Sequence, residues 1–307
     1  MTRILITGAS GLLGLNLALF AAKHENVFGT VYSHELKDVP FKVIQVDLQD
    51  SREIHDCVEE ADPEIIINCA AMADLETCEK EPGIAELLNV ALPLELAEIA
   101  RKRKIKLIQI STDAVFDGKR GNYLEDDQPN PLSVYARTKW ESEKAVTNTN
   151  PDSLIVRVNF YGYSLLGKRS LAEFFLYNLA AGTHVFGFDD VYICPLLVQD
   201  LASILFAMIK KDLKGIYHVV SPESLSKYDF GVRIARLFDL NENLVEAINV
   251  SQAGLIARRS PNLILRIDKL TRDLGQNPPG LQEGLVEFKK LYEKGYPDKL
   301  KAFLSGV

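Results

Sequence analysis

Near its start the chain has a short apolar run, Ile4-Leu5-Ile6 within Arg3–Thr7, too short for a helix and without polar alternation. That is the pattern of a strand covered on both faces, as in a parallel sheet. A glycine-rich turn follows, and helical spacing then runs from about residue 12 to 23. The same unit recurs. Apolar runs at 27–32, 42–46, 64–68, 106–110 and 153–158 read as strands. Stretches at 51–60, 83–102 and from Ser133 onward read as helices. Strands alternating with helices predict an α/β fold, a doubly wound parallel sheet of Rossmann type. Beyond residue 158 the alternation loosens, with helices expected at 171–181, 198–210, 227–238 and 281–292 and a strand at 215–220. The reading is a dinucleotide-binding domain of residues 1–158 plus about 196–220. A smaller C-terminal substrate lobe takes about 159–195 plus 221–307.

The turns at the strand ends carry the candidate chemistry. Gly8-Ala-Ser10-Gly11-Leu12-Leu13-Gly14 stands between a strand and a helix, where glycines let the backbone approach a pyrophosphate and the helix N-terminus offers free N–H groups. The second strand ends in Tyr32-Ser33-His34, without the acid that usually holds an adenosine ribose. Ser33 or His34 can donate to a 2′-phosphate, so NADPH is expected over NADH, with NADH still possible. Asp47 and Leu48 end the third strand, where they are placed to meet an adenine. Small residues, Ala70 and Ala71, end the fourth. Asp74 and Glu79 read as a polar loop, and Asn89 as a structural hydrogen-bonding group within a long helix. Ser111, Thr112 and Asp113 end the fifth strand, at the edge where such folds bind ligands.

Pro131 and Ser133 introduce a helix carrying Tyr135 and Lys139, four residues apart and so on one face. A tyrosine near an ammonium has its pKa lowered and becomes suited to proton transfer. Glu143, four residues further on, reads as surface.

Composition narrows the picture. The chain has 307 residues, 25% of them charged, and a net charge of −7, which argues against nucleic acid or an anionic membrane as partner. No apolar run is long enough to span a bilayer, and the N-terminus runs straight into a strand, so a cytoplasmic protein without a leader is expected. The four cysteines lack C-x-x-C spacing, and the histidines lack metal-ligand spacing, so neither a disulfide frame nor a metal site is expected. Arg258 and Arg259, on a polar loop, are candidates for pairing with a pyrophosphate.

The order of these signals resembles the extended short-chain dehydrogenase/reductase family over essentially the whole chain. Within it the chain is most similar to the dTDP-4-dehydrorhamnose reductases. The matching stretches are Asn68-Cys-Ala-Ala-Met-Ala-Asp-Leu-Glu-Thr-Cys-Glu79, Ser111-Thr-Asp-Ala-Val-Phe-Asp-Gly118, Pro131-Leu-Ser-Val-Tyr-Ala-Arg-Thr-Lys139 and Pro195-Leu-Leu-Val-Gln-Asp-Leu201. The resemblance implies Thr112, Tyr135 and Lys139 as catalytic residues. It implies cofactor contacts from Gly11 to Leu13, from Ala70 to Met72, and from Tyr135 and Lys139. It also implies a sugar-nucleotide substrate, and some proteins of this kind are homodimers. Met72, Ala114 and the run Arg157-Val-Asn-Phe-Tyr-Gly162 depart from the family pattern near the expected sugar site. Two alternatives stay open. One is a sugar-nucleotide epimerase or dehydratase, for which the carboxylate pair is not evident because Ala114 follows Asp113. The other is an NADP-binding regulatory subunit resembling that of methionine adenosyltransferase.

Overall fold

The computed structural model describes residues 1–304. The chain alternates β1 (Arg3–Thr7), α1 (Leu12–Ala21), β2 (Asn26–Val31), β3 (Lys42–Gln45), α2 (Ser51–Ala61) and β4 (Ile65–Asn68). Then come α3 (Leu75–Lys80), α4 (Pro82–Glu86), a π-helical turn (Leu87–Ala91), α5 (Leu92–Arg103), β5 (Lys106–Thr112), α6 (Val134–Thr149) and β6 (Leu154–Val158). The second half holds β7 (Phe160–Tyr161), α7 (Leu171–Ala180), β8 (Val185–Phe188), β9 (Tyr192–Ile193), β10 (Leu196–Leu197), α8 (Val198–Lys210) and β11 (Gly215–Val219). It ends with β12 (Leu225–Ser226), α9 (Lys227–Leu237), β13 (Val245–Ile248), α10 (Asp268–Leu274), α11 (Leu281–Glu293) and α12 (Tyr296–Lys301).

Seven strands form one sheet in the order β11-β6-β5-β4-β1-β2-β3. Every pairing in it is parallel. The apolar runs are explained by burial on both faces. Ile4 and Ile6 of β1 face one core and Leu5 the other; Leu154, Val156 and Val158 of β6 oppose Ile155 in the same way. The order reverses between β1 and β4, and a crevice opens there at the carboxyl ends of the strands. A buried polar ladder spans the strands behind it. Thr7 Oγ1 donates to Asn68 Oδ1 at 2.6 Å, and Asn68 Nδ2 donates to Gln109 Oε1 at 2.8 Å.

Two readings change. The helix expected at 83–102 runs from Pro82 to Arg103 with a π-helical turn, Leu87–Ala91, inside it. Residues 75–80 form a helix where a loop was expected. Asp74 caps that helix by accepting from Thr77 N at 2.8 Å. Glu79 projects from it and accepts from Val134 N at 2.9 Å, at the start of the helix bearing Tyr135. Asn89 sits on the π-helical turn as a structural group. Its amide accepts from Met72 N at 2.9 Å, donates to Met72 O at 3.1 Å, and donates to Thr138 Oγ1 at 3.0 Å. Glu143 is not on the surface: it is 2% exposed and paired with Arg157. A helix-borne glutamate near a lysine usually faces water, and here the strand-borne arginine draws it inward.

Short strands and helices of the second half make small pairs of their own. β8 pairs with β13 and β9 with β12. Gly231 of α9 lets Phe175 of α7 come close, since a Cβ there would stand 2.5 Å from the ring. Among the described residues no helix is long and apolar enough to cross a membrane.

His218 of β11 is fully buried, and burial, reinforced by Arg157, holds its pKa down at about 3. The unfolded chain takes up the proton near 6.5, so this histidine's contribution is intact above that pH and is lost as pH falls toward about 3. Between pH 7 and 5 the wild type is expected to lose about 2 kcal/mol more stability than His218→Gln, measured by urea denaturation. Parallel pH profiles for the two proteins would contradict this.

Candidate functional site

The crevice at the strand-order reversal holds a cavity of about 550 Å³. Gly8, Ser10, Gly11, Leu12, Leu13 and Gly14 line one end of it, from β1 through the start of α1. Gly8 has φ +67°, and a Cβ there would stand 3.1 Å from the Ala70 backbone. A Cβ on Gly14 would stand 2.2 Å from Gly8 O, so the turn closes on itself only with glycine at both places. No side chain caps the N-terminus of α1 among the described residues. Its free N–H groups and partial positive charge therefore face the cavity.

Val31, Val46 and Leu48 form an apolar wall beside Asp47 at the β2 and β3 ends. Ala70 and Ala71 line the wall after β4. This combination fits a dinucleotide: a glycine cradle and helix end for the phosphates, an apolar slot for a ring, and small residues where a flat group must pass. Ser33 and His34 lie beyond that wall, hydrogen-bonded to each other at 3.1 Å on the exposed stretch past Tyr32. Met72 also lies outside the lining, its backbone taken by Asn89.

The far end of the cavity is lined by Ser111, Thr112, Asp113, Tyr135 and Lys139. α6 delivers the last two. Ser133 caps it, accepting from Ala136 N at 3.2 Å. Lys139 is 3% exposed and donates to Ile110 O at 2.6 Å. Burial lowers its pKa to about 8, against the opposing pull of Glu143 and Cys69. The expectation for Tyr135 changes here. Burial pushes its phenol above the ordinary tyrosine range, hydrogen bonding with Thr112 works against that, and Asp113 adds to it. The Lys139 ammonium is turned to the Ile110 carbonyl, and burial dominates the phenol. Thr112 donates to Asp113 Oδ1 at 3.0 Å, and Asn159 donates to Asp113 Oδ2 at 2.6 Å. Burial raises the Asp113 pKa, and those two hydrogen bonds counter it.

A second cavity of about 180 Å³ adjoins the first. Thr112, Asp113, Tyr135 and Asn159 line both. Its other walls include Val191, Ile193, Lys227, Arg258 and Arg259. Arg259 is committed to Glu76 at 2.9 Å and to Ala257 O at 2.9 Å, whereas Arg258 is exposed. Lys227 has its pKa lowered to about 8, by burial and then by Arg259, with Asp113 opposing. The sequence reading passed over Lys227 as a site residue and met Asn159 only within the Arg157–Gly162 run near the expected sugar site. Each stands alone in its segment, and only the fold brings them beside Tyr135. Among the described residues no cluster of three or more His, Cys, Asp or Glu is placed to hold a metal ion.

A Rossmann-like sheet with this glycine turn, and a tyrosine–lysine helix after its fifth strand, defines an extended short-chain dehydrogenase/reductase. The model of the RmlD substrate binding domain family matches residues 1–293, and the chain belongs to that family. It is 31% identical to the probable low-salt glycan biosynthesis reductase Agl14 of Haloferax volcanii, over 94% of this chain and 97% of that protein. It is 32% identical to the methionine adenosyltransferase 2 subunit beta of Mus musculus, over 93% of this chain and 88% of that protein. The crystal structure of a dTDP-4-dehydrorhamnose reductase from Bacillus anthracis in complex with NADP superposes with a TM-score of 0.81. The identity is 26%, and the match covers 94% of this chain and 99% of that one.

Gly14→Ala is expected to destabilise the chain by about 1–3 kcal/mol through overpacking and to weaken NADP binding at least tenfold. Gly83→Ala, where a Cβ meets nothing within 4 Å, is the control: it should leave NADP binding unchanged and, lying in a helix, stabilise the chain by up to about 1 kcal/mol. Thermal melts and cofactor-fluorescence titrations measure the pair; equal behaviour of the two variants would contradict the assigned role of the turn.

Proposed function

We propose that the protein reduces the 4-keto group of a deoxysugar nucleotide with NADPH, as a dTDP-4-dehydrorhamnose reductase does. The observation that carries this is the shared wall: Thr112 and Tyr135 border both the dinucleotide-shaped cavity and the smaller one. A group held in each would meet there. Bound in the larger cavity, NADPH supplies hydride. Tyr135, kept protonated by its burial, stands ready to give a proton to the developing alkoxide. Thr112, or its neighbour Ser111, positions the carbonyl oxygen, and Lys139 holds the nicotinamide ribose and offers its positive charge to the Tyr135 phenolate as the proton leaves. The expected cofactor contacts at Gly8, Ser10, Gly11, Leu12, Leu13, Gly14, Asp47, Leu48, Ala70 and Ala71 fit the larger cavity. The absence of an acid at Tyr32–His34 supports NADPH over NADH, with Ser33 or His34 at the rim as the 2′-phosphate donor.

Residues about 159–195 plus 221–307 are read as the substrate lobe, with Lys227 and Arg258 as cations for the substrate's diphosphate. A dehydratase is disfavoured because Ala114 stands where a second carboxylate would be needed. A second reading has a specific support. The 32% identity to a methionine adenosyltransferase 2 subunit beta favours an NADP-binding regulatory subunit equally well on sequence alone.

NADPH absorbance with dTDP-4-keto-L-rhamnose separates the readings. Stoichiometric loss is expected, with slower loss of NADH. Tyr135→Phe should bind NADPH and lose about 10²–10⁴ in kcat. Tight binding without loss on any 4-keto sugar nucleotide would favour the regulatory reading, and a Tyr135→Phe protein turning over at the wild-type rate would refute the mechanism.

A further inference from the structure

Glu143 lies one helical turn beyond Lys139 on α6. Its Oε1 accepts from the Ser111 hydroxyl at 2.5 Å and from Arg157 Nε at 2.9 Å; its Oε2 accepts from Arg157 Nη2 at 2.7 Å. Arg157, from β6, is 1% exposed. Its remaining donor reaches Glu125 O at 3.3 Å and His218 Nε2 at 3.3 Å, and the guanidinium lies 5.0 Å from the Phe116 ring centroid. His218 of β11 donates from Nδ1 to Arg266 O at 3.0 Å, which leaves Nε2 as the acceptor of a neutral ring. The carboxylate is thus fully coordinated in a site without water access.

A buried ion pair is a poor device for stability, since apolar residues of similar volume serve as well or better. The contacts of this pair suggest another role. α6 grips the end of β5 at two successive residues: Lys139 holds the Ile110 carbonyl at 2.6 Å, and Glu143 holds the Ser111 hydroxyl at 2.5 Å. Thr112 is the next residue. We propose that Glu143, clamped by Arg157, is a positioning residue that sets Thr112 against Tyr135 and supplies the buried negative charge that keeps Lys139 an ammonium. The proposal rests on the roles given above to Thr112, Tyr135 and Lys139.

The groups acting on Lys139 are few. Glu143 shares its helix and is itself paired with Arg157 of β6, Cys69 acts from the end of β4, and the Ile110 carbonyl accepts from it on β5. Cys69 has its thiol pushed up to about 12, so it is neutral at working pH. Burial lowers the Lys139 pKa, and of the two groups that oppose this Glu143 acts more strongly than Cys69. Removing the Glu143 charge therefore moves the loss of the Lys139 proton to lower pH.

The test is NADPH affinity against pH, from about 6 to 10, by cofactor fluorescence, which needs no turnover. The wild type should weaken above about pH 8, where Lys139 loses its proton. Glu143→Gln should move that break down by about one pH unit, a tenfold change in proton affinity. Glu143→Asp keeps the charge on a shorter arm, so it should keep the break while lowering kcat as the Ser111 contact opens. Where Glu143→Gln does not fold because Arg157 is left without a counter-charge, the double variant Glu143→Gln/Arg157→Met should move the break in the same direction by less, since it removes a more distant cation along with the anion. A break unmoved in the charge-removing variant, whatever happens to thermal stability, overturns the proposal. A moved break without reduction of any 4-keto sugar nucleotide refutes the reductase reading and leaves the Glu143–Lys139 coupling standing. A wild type that binds no NADPH refutes both.

Discussion

A carboxylate taken out of water must be met by hydrogen bonds and an opposite charge, or the chain does not close over it. At Glu143 that requirement draws Arg157 of β6, Ser111 of β5 and the helix α6 to one point. His218 of β11 closes the back of the cluster. Three adjacent strands and the helix beside them are thereby fixed in one register. The same α6 is fixed at its start by Ser133 and by Glu79 of α3. The tyrosine on it has little freedom to drift relative to the end of β5. On the other side of the crevice, the Thr7–Asn68–Gln109 ladder performs the same service for β1, β4 and β5, and Thr7 Oγ1 also accepts from Cys69 N and Ala70 N at 3.1 Å each. Both walls of the dinucleotide-shaped cavity are therefore set by buried polar contacts, with apolar packing supplying the bulk of the stability behind them.

Two opposing effects meet at Tyr135. An ammonium nearby would lower the phenol's pKa, and burial raises it. Burial wins, and Lys139 spends its short hydrogen bond on Ile110 O. A phenol held in its protonated form is the form an acid needs, and reduction of a ketone requires an acid at the oxygen. Lys139, with its pKa brought down to about 8, is still mostly charged near neutrality. The direction of the shifts thus agrees with the proposed reductive direction, without asking the lysine to create a phenolate in the resting state.

Much of the fold was legible in the sequence because parallel strands buried on both faces must be unbroken apolar runs. Ile4–Ile6 and Ile65–Ile67 could hardly be read otherwise. The glycine turn was legible for a steric reason that the structure makes concrete at Gly8 and Gly14. Other features were not legible. The β7, β9, β10 and β12 strands are two residues long and have no periodicity to read. The stop between α3 and α4 falls at Glu81, before Pro82, and the π-helical turn inside the next helix goes with Asn89 turning inward to Met72, a demand that no local pattern announces. Glu143 misled for the same reason. Locally it is one more charged residue on a mixed helix, and its partner Arg157 lies 14 residues away on a strand. A charged residue inside an apolar strand was the available signal: Arg157 sits in Leu-Ile-Val-Arg-Val, where it needs a buried anion.

The smaller cavity carries the remaining argument, which concerns charge. Arg259, a candidate for binding phosphate, has its guanidinium committed to Glu76 and to its own loop. Glu76 also accepts from Ile256 N at 3.0 Å and Ala257 N at 3.3 Å, so this pair fixes the loop that forms one wall. Asp113 is the one acid in the lining, and its oxygens are taken by Thr112 and Asn159. Among the described residues the Lys227 and Arg258 side chains make no hydrogen bond or ion pair, and the Lys227 ammonium lies 5.8 Å from the Phe188 ring centroid. Holding Lys227 in so enclosed a place costs proton affinity, seen in its lowered pKa, and a neutral ligand would return none of that cost. An anionic group on the ligand would, by restoring the charged form of the lysine as it binds. The proposed sugar nucleotide has such a group at the distance of one sugar ring from its reacting carbon. The cation balance of this small cavity therefore favours a phosphate-bearing substrate over a free sugar.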